Sequence, residues 1–61
     1  MANLTTKELS CIEDTLNQEQ TLIKKFRSYS QSTQDQALKS QFEQLASRHQ
    51  KHFDCLLGHL N

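Results

Sequence analysis

The chain has no proline and no tryptophan, a single glycine (Gly58), and no run of aliphatic residues longer than two, as in Leu22-Ile23 or Leu56-Leu57. Without proline, and with its one glycine three residues from the end, nothing in the interior forces a break, which favours long helices over short strands. Without a long apolar run there is no membrane span and no signal-peptide core, so cytoplasmic synthesis is the default expectation. Charge of one sign is missing too: seven basic residues balance seven acidic ones. Nucleic acid and anionic membrane both demand a basic footprint, and neither is expected as a partner. Cysteine is limited to Cys11 and Cys55, too few and too far apart for a zinc finger or a disulfide-rich scaffold.

Apolar residues are also scarce, at 34% of 61 residues. A single domain of this size builds a marginal core unless a disulfide, a metal or a partner chain adds to it.

What is present is helical periodicity. Thr5-Thr6-Lys7-Glu8 has the spacing of a capping box and predicts the start of a first helix, over about 6–30. Along it Leu9, Ile12, Leu16, Glu19, Ile23 and Phe26 recur at alternating steps of three and four, with Leu22 and Tyr29 widening the stripe. Glu19 is the one charged intruder. Ser28 to Asp35 is polar and reads as a connection, with Asp35 a candidate cap for the next helix. The second helix, over about 35–59, carries Leu38, Phe42, Leu45, His49, His52 and Leu56 on its stripe, flanked by Ala46, Phe53, Leu57 and Leu60. Eight glutamines spread over both helices read as solvated surface.

The expected fold class is therefore all-α: two long helices joined by a short loop fold back as an antiparallel hairpin, forming one domain over 1–61. A hairpin covers only part of two wide stripes, and soluble proteins avoid large exposed apolar faces. The expected remedy is a homodimer, two hairpins closing into a four-helix bundle. The dimer and core stripe comprises Leu9, Ile12, Leu16, Ile23, Phe26, Leu38, Phe42, Leu45, Phe53 and Leu56.

Imidazoles on an apolar stripe need a reason. His49 and His52, one helical step of three apart, lie on the inward stripe that would meet Glu19 of the first helix. One reading is that the rings cover the seam and hydrogen-bond to Glu19 or to backbone; the other is a divalent metal site, zinc or iron, using Glu19, His49 and His52 of both chains of the dimer. His59, near the C-terminus, reads as a solvated ring at the carbonyl end of the helix. Cys11 and Cys55 lie at equal distances on either side of a loop centred near Thr33, so they are candidates for a disulfide closing the open end, or are two unpaired thiols. No hydrolytic triad or activated nucleophile is recognisable, and no catalytic residue is expected.

The order Glu19, Phe26, Tyr29, then Phe42, His49 and His52 resembles a half-bundle of the rubrerythrin-type, ferritin-like superfamily across nearly the whole chain. There, a Glu on one helix and Glu-x-x-His on the next bind a di-iron centre. Two positions depart from that pattern: His49 stands where the family has a bridging carboxylate, and Phe26 stands at the tyrosine position. Within the superfamily, Leu4-Thr5-Thr6-Lys7-Glu8, Ile12-Glu13-Asp14, Gln18-Glu19-Gln20 and His49-Gln50-x-His52 are similar to the spore coat protein F family of sporulating Firmicutes. That resemblance implies a non-enzymatic structural component of the spore coat, with other coat proteins as partners. A further alternative, a regulatory hairpin of sporulation signalling, would need a Ser-x-x-x-Asp spacing on the second helix, whereas Ser10 and Asp14 place it on the first.

Overall fold

The computed structural model describes residues 4–60, which form two helices and a three-residue connection. Helix α1 spans Thr6–Ser32 and helix α2 spans Gln36–Gly58, packed against each other as an antiparallel hairpin measuring 46 × 15 × 11 Å. The all-α expectation holds, and α1 runs two residues past its expected end because no residue before Thr33 leaves helical geometry.

Each helix starts where side-chain chemistry satisfies its free N–H groups. At α1 the capping box is complete: Thr5 Oγ1 accepts from the Glu8 N–H at 3.1 Å, and Glu8 Oε1 accepts from the Thr5 N–H at 3.0 Å. The backbone N–H of Thr5, followed by its hydroxyl, holds the Glu8 carboxyl below the usual carboxylate range. At α2 the Asp35 carboxylate accepts from the N–H groups of both Ala37 and Leu38, at 2.9 and 3.1 Å. The turn between them is stitched locally. Thr33 turns extended and donates its N–H to the Tyr29 carbonyl, and its hydroxyl accepts from the Asp35 N–H at 3.2 Å.

The core is a thin seam. Its buried apolar residues are Leu16, Ile23 and Ala46, and the one buried polar residue is Ser30, only 4% exposed. On α1 the buried positions Leu16, Ile23 and Ser30 are spaced by seven, the column that faces a partner helix in side-by-side packing. Leu9 belongs to the same column but is 38% exposed, because it lies at the open end.

On α2 the structure corrects the expected stripe. The rotation of the helix brings Phe42, Ala46, His49, Phe53, Leu56 and Leu60 to α1, all buried or half-buried, while Leu38 and His52 are exposed. Ala46, expected as a flank, is a seam residue beside Phe53; Leu38, expected in the stripe, is 42% exposed. The physical reason is at the loop end. Ser30 donates its hydroxyl to Glu43 Oε1 at 3.1 Å, and Lys39 Nζ donates to the Ser30 carbonyl at 3.1 Å, turning the Lys39 and Glu43 side of α2 toward α1. Ala46 follows Lys39 by seven residues and therefore faces the same way.

The two edges of the seam differ. One is polar: Gln20, Lys24 and Arg27 of α1 and Gln50 of α2 line a shallow depression over Ile23 and Phe53. The opposite edge carries Leu22 and Tyr29 of α1 and Leu38, Leu45 and His52 of α2. Among the described residues no helix is long and apolar enough to cross a membrane.

Candidate functional site

Midway along the seam, Glu19 from α1 meets His49 and His52 from α2. Glu19 occupies a stripe position, so its carboxylate is carried inward by the same periodicity that buries Leu16 and Ile23. His49 sits on the inward side of α2, and His52 lies one short helical step further on, at the margin of the seam.

Their distances define a compact cluster. Glu19 Oε2 lies 2.8 Å from His49 Nδ1, a hydrogen-bonded pair, and 3.8 Å from His52 Nδ1. One donor atom from each of the three side chains lies within 4.8 Å of the other two. Burial is graded across them: the side chains of Glu19 and His49 are 15% and 20% exposed, whereas His52 is 57% exposed. The cluster is closed on its Glu19 side and open on its His52 side.

Aromatic packing fixes the inner ring. Phe26 lies nearly parallel to His49 with centroids 5.5 Å apart, and His52 stands edge-on to His49 at 5.4 Å and 83°. Phe26 in turn packs on Phe42 at 6.4 Å, and Tyr29 on Phe42 at 5.4 Å, so an aromatic layer separates the cluster from the loop end.

A carboxylate-bridged di-iron centre does not fit these residues. Such a centre relies on bridging carboxylates, and Glu19 is the one carboxylate of the three groups. The other two groups are imidazoles, and the neighbouring Phe26 offers no hydroxyl.

The structure brings together Glu19, His49 and His52 and leaves the other candidates apart. Cys11 and Cys55 are unpaired thiols, and both are exposed. His59 is the exposed C-terminal cap of α2, its N–H donating to Leu56 and Leu57 carbonyls. Ser10 and Asp14 are exposed on α1. Sequence reasoning missed the Ser30, Lys39 and Glu43 cluster, although Ser30 continues the α1 column of Leu9, Leu16 and Ile23 at the same seven-residue step. Comparison with known protein families, with curated proteins and with solved structures finds no match for this chain.

Proposed function

We propose that the chain is a structural, non-enzymatic self-association module, two hairpins pairing through their apolar edges into a four-helix bundle. The observation that carries this reading is the uncovered edge itself. Tyr29 and Leu38 are 46% and 42% exposed, and Leu22 and Leu45 are half-buried beside them, while no side chain of the described residues is fully buried. A core this thin in a domain this small rarely supplies more than about 3–5 kcal/mol, so covering the edge with a second copy stabilises what one hairpin leaves marginal. A net charge of zero sets up no long-range repulsion between copies. The role of spore coat component, with homotypic and coat-protein contacts, follows the resemblance to the spore coat protein F family and is part of the same proposal.

Sedimentation equilibrium at micromolar concentration tests the reading. A dimer is expected for the full chain, and Leu45→Lys, which places a charge on the apolar edge, is expected to weaken self-association at least about tenfold, as a buried unpaired charge does. A monomer at that concentration overturns the proposal.

A further inference from the structure

We propose that Glu19, His49 and His52 form a mononuclear site for a divalent cation of the zinc type, with three protein donors and a fourth position left to water. The argument starts from the three side chains that the hairpin brings together. Two imidazoles and one carboxylate are a donor set for a borderline transition metal; hard cations such as magnesium or calcium favour oxygen-rich shells.

The geometry is close to what such an ion needs. Donors about 2.0–2.2 Å from a tetrahedral ion stand roughly 3.3–3.6 Å from one another. Glu19 Oε2 lies 2.8 Å from His49 Nδ1 and 3.8 Å from His52 Nδ1, on either side of that value. Entry of the ion at His49 Nδ1 sends the hydrogen that bridges it to Glu19 to solvent and leaves the neutral ring with its proton on Nε2, and His52 closes by side-chain rotation, for which its exposure leaves room. The third separation, between the two imidazole donors, is within 4.8 Å, and closing it falls to His52. The first two donors are held in advance, Glu19 by its seam position and His49 by stacking on Phe26. The open side at His52 admits both the ion and the water that completes its shell.

All three donors come from one hairpin, so the donor set is complete without a second copy, while His52 lies on the edge that the proposed pairing would cover. It ties α1 to α2 at mid-seam, on the open-end side of the aromatic layer. Because it exists only in the folded hairpin, ion binding raises folding stability.

The test is titration of the untagged full chain with zinc against a chromogenic chelator, and with cobalt read by its visible bands. One ion per chain, with the intense bands of four-coordinate cobalt, is expected. Glu19→Gln and His52→Ala are each expected to weaken binding at least tenfold, and zinc is expected to raise the melting temperature of the wild-type chain and not that of Glu19→Gln. His52 is mostly exposed, so its variant keeps the fold, which circular dichroism checks. A chain carrying both Cys11→Ser and Cys55→Ser is expected to bind as the wild type does. No zinc uptake, uptake lost with the two cysteines, or uptake unchanged in Glu19→Gln and His52→Ala overturns the proposal. Sedimentation of the same samples reads the oligomeric state separately.

Discussion

The two ends of the hairpin are built from the same helices and held by different forces. At the loop end Ser30 is buried, bonded to Glu43 and covered by Lys39, Asp35 caps α2 through two N–H groups, and Phe26, Tyr29 and Phe42 pack together. At the open end Leu9 and Leu57 are 38% and 42% exposed, and Cys11 and Cys55 stand in solvent. Among the described residues, every polar contact between the helices lies at Glu19 or closer to the loop. The loop end is thus held by polar bonds between the helices as well as by packing, whereas the open end is held by packing alone, and exposed apolar residues occur at both, Tyr29 and Leu38 near the loop and Leu9 and Leu57 away from it.

The largest test of this contrast uses one column of α1. Ile23→Ala is expected to cost about 2–5 kcal/mol, the range for emptying a buried aliphatic site, and so to unfold most of so small a domain. Leu9→Ala, from the same column at the exposed end, is expected to cost only about 1 kcal/mol, since less area and no closed cavity are involved. Urea or thermal denaturation followed by circular dichroism gives both values. Equal costs would erase the difference between the ends.

A smaller effect is expected at the turn. Asp35→Ala removes an acceptor shared by two N–H groups and is expected to destabilise the protein by about 1 kcal/mol, while Asp35→Asn, which keeps an acceptor, retains most of it. The same melts measure both variants, and an unchanged Asp35→Ala would remove the cap from the account of the loop end.

The smallest effect belongs to the opposite end of the chain. Glu8 is depressed by its bonds to Thr5, so its contribution is fully present above its unfolded pKa and is lost as pH falls through the lower folded value. Fraying of the first turn of α1 is therefore expected on acidification below the ordinary carboxylate range. Amide shifts of Thr5 and Glu8 followed by NMR report it, and a Thr5 amide indifferent to pH there would show the box unformed.

Most of the fold was legible because it depends on signals that survive in one dimension. The Thr5 and Glu8 spacing, the Asp35 cap, the missing proline and the α1 stripe each predict the element they form. The rotation of α2 was not legible for a physical reason. Leu38, Leu45 and His52 lie on one side of Phe42, His49 and Leu56, while Ala46, Phe53 and Leu60 lie on the other, and both sides are apolar enough to face a core. The choice is made by contacts between α1 and α2, among them the Ser30 bond to Glu43 and the reach of Lys39 to the Ser30 carbonyl, which no single-helix periodicity records. Ala46 was underrated because a small side chain gives a weak hydrophobic signal, although its position on α2 makes it one of the least exposed residues of the seam. In the candidate site the convergence of Glu19 with His49 followed from two stripes meeting. The exposure of His52 did not, since it is a consequence of the same rotation.

The three-residue turn also bears on how quickly the hairpin assembles. Closing so short a connection costs little chain entropy, and the first contacts it permits, between Ser30, Lys39 and Glu43, join residues only 9 and 13 apart in sequence. Each later layer of the seam closes a loop already shortened by the one before it, so α1 and α2 zip from the turn outward. With no proline to isomerise, such a local order of events belongs to the microsecond-to-millisecond regime of small helical proteins. The last layer to close is then the open end.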